Sequence, residues 1–150
     1  MKDKVYLVQE YCQGGSLLEY LAKKGGQPVE EEVVRGITKQ LVRVVRYLKK
    51  CNVVHRDIKP ENILLTGQLI GEGGIPEVKL GDLGLSGIVG GGRGETLTQP
   101  YGTIIYAAPE ILCDRAYDWQ VDVYSLGVTV FGVCSSRVPF KKGEPSKLLE

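Results

Sequence analysis

At 150 residues, with a quarter of them charged and a net charge of +1, the chain has the composition of one ordinary globular domain able to bury a core. Its Lys and Arg are scattered, no apolar run approaches the roughly 18 residues of a membrane helix, and no charged-then-apolar leader opens it. Nucleic acid, a membrane segment and secretion are therefore not indicated, and Cys12, Cys51, Cys113 and Cys134, with no C-x-x-C pair, suit reduced thiols in the cytosol or nucleus.

In chain order, Val5 to Val8 predicts a short strand, broken by Gly14 and Gly15 before a helix. Ser16 and Glu19 form a capping box for that helix, Lys23 and Lys24 suit the negative end of its dipole, and Gly25-Gly26 supply a left-handed stop. From Val29 to Lys50, apolar residues at Val34, Ile37, Leu41, Val44, Val45 and Leu48 have the spacing of a long amphipathic helix. Glu30 to Glu32 at one end and Lys49-Lys50 at the other complement its macrodipole, and Pro28 is well placed near the start. Gly36 costs about 1 kcal/mol relative to Ala, which a buried face can offset. Because acids balance bases, a core helix is expected and not one that binds a membrane or calmodulin.

His55-Arg56-Asp57-Ile58-Lys59-Pro60-Glu61-Asn62 then sits between the β-branched pair Val53-Val54 and Ile63-Leu64-Leu65, which predicts a loop held between two small strands. Pro60 fixes one φ angle and biases Lys59 away from helix, so the carboxylate of Asp57, the ammonium of Lys59 and the amide of Asn62 can be aimed into one cleft. These groups suit phosphoryl transfer. Asp57 can accept or orient a hydroxyl proton, Lys59 can neutralise charge on a transferred phosphoryl group, and the Asn62 carbonyl is a hard oxygen suited to Mg²⁺.

Thr66 to Glu77 is glycine-rich and predicts a surface loop longer than a hairpin turn. Neither it nor Gly90-Gly91-Gly92-Arg93-Gly94 has the spacing of a phosphate cradle, so both read as flexible connections. Val78 to Gly84 predicts an alternating strand ending in Asp82, a second acid and a natural partner for Asn62. Further on, Trp119 to Val133 is dominated by apolar residues, with Asp122 and Ser125 among the few polar ones, and predicts a buried helix.

The run H-R-D-I-K-P-E-N, then Asp82-Leu83-Gly84, then Ala108-Pro109-Glu110, with Gly102-Thr103 before the last and Asp122-Val123-Tyr124-Ser125-Leu126-Gly127 after it, resembles the signature set of the eukaryotic protein kinases. The resemblance implies an α+β, protein kinase-like fold: a mainly helical C-terminal lobe with short strands around the catalytic loop. It implies a hinge at about 9–15, a catalytic loop at 55–62 and an activation segment at 82–110. The implied activity is that of a serine/threonine kinase using ATP and Mg²⁺ on protein substrates that carry Ser or Thr.

On that resemblance Asp57 is the catalytic base, Lys59 faces the phosphate, Asn62 and Asp82 hold the metal, and Thr103 joins Asp57 and Lys59 in one hydrogen-bonded cluster. Lys59 and Thr103 follow the serine/threonine pattern and not the tyrosine one. Gln9 falls at the gatekeeper position, the backbones of Glu10 and Cys12 meet the adenine edge, and Ser16 lies near the ribose. Glu61 and Leu64 complete the nucleotide site with Lys59, Asn62 and Asp82, and Glu61 also reads a basic substrate residue. His55 is a packed structural residue, and Asp122 holds the backbone around it. Arg56 implies an activation segment ordered by a phosphate, placed on Thr98 in preference to Thr96 or Tyr101 by an upstream kinase. Leu83 stands where the family usually packs a phenylalanine.

The resemblance covers the whole chain but only the hinge and the first part of the larger lobe. Ahead of Lys4 there is no room for a glycine-rich phosphate loop or a strand lysine, and the last helices do not follow Glu150. A fragment of a serine/threonine kinase is therefore expected. The alternative is a non-catalytic kinase-like module, truncated or a pseudokinase, that binds partners; retention of Asp57, Asn62 and Asp82 favours the enzyme.

Overall fold

The computed structural model describes residues 5–70, 74–90 and 96–140. Its first regular element is β1 (Gly15–Ser16), followed directly by α1 (Leu17–Lys23). The capping box forms as predicted: the Glu19 amide donates to Ser16 Oγ at 3.2 Å and the Ser16 amide to Glu19 Oε2 at 3.0 Å. Gly25 and Gly26 follow with φ of 61° and 81°, the left-handed conformation that ends the helix without a Cβ penalty. Leu17, wholly buried, anchors α1 to the core.

The predicted strand over Val5 to Val8 does not form. These residues adopt no regular structure and pair with no described strand, and Val8 is 97% exposed. β-propensity describes a side chain that fits a pleated surface, and among the described residues no strand offers this segment a ladder.

Helix α2 (Glu31–Lys50) starts two residues later than the apolar pattern suggests. Glu30 caps it through its backbone, while its carboxylate pairs with Lys24 at 3.1 Å. Val34, Ile37, Leu41 and Val45 line the buried face, with Val44 and Leu48 half-buried beside them. Gly36 lies on that face for a steric reason, since a Cβ there would stand 2.5 Å from Cγ2 of Ile75.

Two small antiparallel sheets follow. In the first, β1, β3 (Ile63–Ile70) and β4 (Ile75–Leu80) lie in the order β1-β3-β4, and in the second β2 (Val53–Val54) pairs with β5 (Gly87–Ile88). The loop predicted over Thr66 to Glu77 is largely a hairpin, with Leu69 opposite Pro76 and Ile70 opposite Ile75. The glycines there mislead because one of them serves the ladder. The register shifts between Leu65 and Leu69, and Gly67 adopts φ 91° within that irregularity. The strand predicted up to Asp82 stops at Leu80, and the Gly81 amide turns back to the Asn62 carbonyl at 2.8 Å.

The outer edge of β4 is closed by one side chain. Gln40 of α2 donates from Nε2 to the Pro76 carbonyl at 2.9 Å and accepts the Val78 amide on Oε1 at 3.0 Å, as a neighbouring strand would. Of the glycine-rich stretches, residues 71–73 and 91–95 lie outside the described residues.

Helix α3 (Pro109–Leu112) is a single turn, and α4 (Gln120–Ser135) forms where the apolar run predicts a helix. Val121, Leu126, Thr129 and Val133 of α4 are buried, whereas Val123 and Phe131 on its other side are about half exposed, so the helix is not buried all round. One core cluster joins Leu17, Ile37, Leu41, Ile58, Ile63 and Leu126, and a second joins Val54, Ala108, Ile111, Tyr117 and Val121. Residues 55–62 run between these clusters, which makes the loop a fixed platform. No helix among the described residues is long and apolar enough to cross a membrane.

Candidate active site

The loop is held from below by a buried carboxylate. Asp122, 1% exposed in the first turn of α4, accepts the amide of His55 at 2.7 Å on Oδ2 and that of Arg56 at 2.9 Å on Oδ1. Burial pushes its carboxyl above the ordinary value, against the opposing pull of those two backbone bonds. His55 is wholly buried. Its Nδ1 accepts the Asp57 amide at 3.3 Å, which leaves the ring proton on Nε2 to donate to the Gly81 carbonyl at 3.0 Å. The lone histidine is thus a structural tie between the loop and the approach to Asp82, as the resemblance implies.

Arg56 has a left-handed backbone, φ 69°, and its side chain reaches Leu85, Ser86 and Tyr117. Its Nε donates to the Leu85 carbonyl at 2.5 Å, Nη2 to the Ser86 carbonyl at 2.9 Å and Nη1 to the Tyr117 hydroxyl at 3.4 Å. The Tyr101 ring lies over the guanidinium at 4.5 Å. The backbone at Gly102 passes against the same residue: with φ 117° it could accept no side chain, because a Cβ would stand 2.5 Å from the Arg56 carbonyl oxygen.

That close approach delivers Thr103. Its hydroxyl donates to Asp57 Oδ1 at 2.8 Å and receives a bond from Lys59 Nζ at 2.8 Å, while Lys59 Nζ also pairs with Asp57 Oδ2 at 2.8 Å. Asn62, in the 3₁₀ turn Pro60–Asn62, donates from Nδ2 to Asp57 Oδ2 at 2.9 Å and to the Asp57 carbonyl at 2.8 Å. Burial pushes the Asp57 carboxyl up, but Lys59, Thr103 and Asn62 outweigh it and hold it below the usual carboxylate range. Asp57 is therefore ionised at neutral pH, a strong hydrogen-bond acceptor and a weak base.

A cleft of about 650 Å³ adjoins this cluster, lined among others by Gln9, Glu61, Asn62, Leu64, Asp82 and Leu83. Asp82 follows Gly81 with φ 61°, is exposed, and uses Oδ1 to accept the Gly84 amide at 3.1 Å. Leu83, 55% exposed, lines the cleft and packs into no core. Glu10, Cys12 and Ser16 do not line it. The Glu10 carboxylate pairs with Lys79, Cys12 accepts the Gly15 amide on its carbonyl, and the Ser16 hydroxyl is spent on its helix. Thr98 is exposed, and the structure gives it no contact to Arg56.

Gln40 and Tyr117 escape a reading of the sequence. Each acts by side-chain bonds to backbone far away in the chain, which leaves no periodic trace. The tyrosine that precedes the α4 motif by five residues is the only signal for the second.

Residues 1–150 match the sequence profile described as "Protein kinase domain". The chain is 34% identical over 99% of its length to the serine/threonine-protein kinase cds1 of Schizosaccharomyces pombe, covering 31% of that protein. It is 36% identical over 91% of its length to the carbon catabolite-derepressing protein kinase of Secale cereale, covering 25% of it. With the serine/threonine-protein kinase PEPKR2 of Arabidopsis thaliana it shares 39% identity over 93% of its length, covering 27% of that protein. The chain thus spans between a quarter and a third of the length of these curated relatives.

Proposed function

The chain belongs to the protein kinase family, and we propose that its protein transfers the γ-phosphoryl group of ATP to Ser or Thr hydroxyls of protein substrates. In this reading residues 9–15 are the hinge, 55–62 the catalytic loop and 82–110 the activation segment. The observation that carries it is the four-residue cluster in which Asp57 is held by Lys59, Asn62 and Thr103.

Asp57 first orients the incoming hydroxyl. As that oxygen bonds to the γ-phosphorus and the bond to the ADP oxygen breaks, its proton passes to the Asp57 carboxylate. A carboxyl held below its usual range takes the proton late, which suits a loose transition state with little charge on the attacking oxygen. Lys59 neutralises charge on the transferred group, and Thr103 keeps Lys59 and Asp57 in register.

Asn62 Oδ1 and Asp82 Oδ2 accept no hydrogen bond among the described residues, and both side chains line the cleft. Two hard oxygens of this kind fit Mg²⁺, and Asn62 and Asp82 would hold it. When bound, the ion neutralises phosphate oxygens. The backbones of Glu10 and Cys12 would meet the adenine, with Ser16 near the ribose and Glu61 and Leu64 along the cleft.

The regulatory part of the reading gives Thr98 a phosphate from an upstream kinase, with Arg56 its partner, in a cytoplasmic or nuclear protein. Leu97 and Gln99 on either side of Thr98 both bond to Tyr117, which itself bonds to Arg56, and this supports the assignment. Thr98→Ala is expected to lower both phosphate content and activity; if neither changes, the assignment is wrong.

The deciding experiment is Asp57→Asn in the full-length protein, assayed with Mg²⁺-ATP and Ser/Thr peptides. A loss of about 100-fold or more with an unchanged melting temperature is expected. Wild-type transfer by the variant would remove Asp57 from the mechanism. Absence of any transfer by the wild type would hand the chain to the partner-binding reading.

A further inference from the structure

Tyr117 lies between α3 and α4, outside the cluster just described, yet it bonds to Arg56, next to Asp57, and to Gln99, four residues ahead of Thr103. It is 3% exposed. Its backbone makes an isolated pair with Leu97, the Leu97 amide donating to the Tyr117 carbonyl at 2.8 Å and the Tyr117 amide to the Leu97 carbonyl at 2.9 Å. Its hydroxyl donates to the Gln99 carbonyl and accepts Arg56 Nη1 at 3.4 Å. A phenol can donate one proton and accept on its lone pairs, so both bonds are made by one oxygen without conflict.

From Gln99 the chain needs only four residues to reach Thr103, and over that span it is pressed against Arg56. Tyr101 stacks on the guanidinium, and Gly102 passes so close to the Arg56 carbonyl that a Cβ would lie 2.5 Å from its oxygen. Thr103 then bonds to Asp57 Oδ1 at 2.8 Å. Leu97 is itself pressed on Gly87, where an added Cβ would meet its Cδ1 at 2.8 Å. The stretch from Leu97 to Thr103 is therefore fixed at its beginning by Tyr117 and at its end by Asp57, with Arg56 against Tyr101 and Gly102 between them.

We propose that the Tyr117 hydroxyl is a positioning group for phosphoryl transfer. It sets where residues 99–103 lie on Arg56, and so whether the Thr103 hydroxyl meets Asp57 and Lys59. The proposal rests on the kinase reading above. It differs from a packing role, because Tyr117→Phe keeps the ring and both backbone bonds and removes only the oxygen.

The test compares Tyr117→Phe, Thr103→Val and the double variant in the full-length protein. Tyr117→Phe is expected to lower kcat about tenfold, the size of one lost hydrogen bond, with the KM for ATP within about twofold. Amide exchange over residues 99–103 should quicken by a similar factor while α2 and α4 keep their protection. Acting through Thr103, it should add no further loss to Thr103→Val. Multiplying losses, an unchanged kcat, or exchange that quickens everywhere would each overturn the proposal. Should the wild type transfer no phosphate, the kinase reading fails, and exchange over 99–103 still decides whether the hydroxyl seats this stretch.

Discussion

Replacing Asp122 by Ala removes a support and touches none of the reacting groups, so its cost can be worked from the structure. Two amides, of His55 and Arg56, lose their acceptor in a site where the carboxylate is 1% exposed. Each orphaned buried donor costs about 1–3 kcal/mol. Against that, the variant no longer keeps a carboxylate out of water, and a net loss of about 3 kcal/mol is expected. Asp122→Asn retains one acceptor and turns an NH₂ toward the second amide, so it should lose about half as much. The sign of the pH dependence follows from the raised carboxyl. With the folded value above the unfolded one, this group's stabilising contribution is full below the unfolded value and is lost as pH rises through the folded value. The Asp122→Asn penalty should therefore narrow over that window. Denaturant unfolding of the full-length protein gives the total, and native-state exchange of the His55 and Arg56 amides gives the local part. An Ala variant within about 0.5 kcal/mol of wild type, with both amides still protected, would refute the claim that Asp122 carries the loop.

Three other outcomes are expected. Gly102→Ala should cost about 2 kcal/mol or more in thermal unfolding and lower transfer with it, because its φ of 117° and the 2.5 Å approach to the Arg56 carbonyl leave no place for a methyl group. Gly36→Ala gains helix propensity but drives a Cβ to 2.5 Å from Ile75, so it should destabilise alone; combined with Ile75→Ala, the pair should couple by about 1 kcal/mol in a double-mutant cycle. The Asp57 carboxyl, held low by Lys59, Thr103 and Asn62 against its burial, should contribute stability above the unfolded carboxylate value and lose it as pH falls through the lower folded value. Lys59→Met should bring that titration back up, which a carboxylate-resolved NMR titration would read.

What the sequence disclosed and what it hid divide along a physical line. The capping box of α1, the buried stripe of α2 and the run of α4 are local patterns, and each is found close to where it was read. The cluster of Asp57, Lys59 and Thr103 joins residues more than forty positions apart, and only the order of the motifs pointed to it. Val5 to Val8 misled because strand formation is a pairing, and composition does not reveal the partner. The β3-β4 hairpin misled in the opposite sense: glycines read as loop, although Gly67 serves an irregular ladder. Gln40 was invisible because a glutamine on a helix gives no sign that it will finish a sheet edge.

Asp82 sits in the left-handed region, φ 61°, on an exposed stretch of chain where its carboxylate makes one bond, to the Gly84 amide. A side chain in that conformation costs on the order of 1 kcal/mol, which glycine would avoid. Heat resistance and the proposed metal-facing oxygen thus pull this position in opposite directions. A library selected for thermal survival alone should drift toward Asp82→Gly, while one selected for phosphate transfer should keep the acid, so the two enrichments measure how far this fold trades robustness for chemistry.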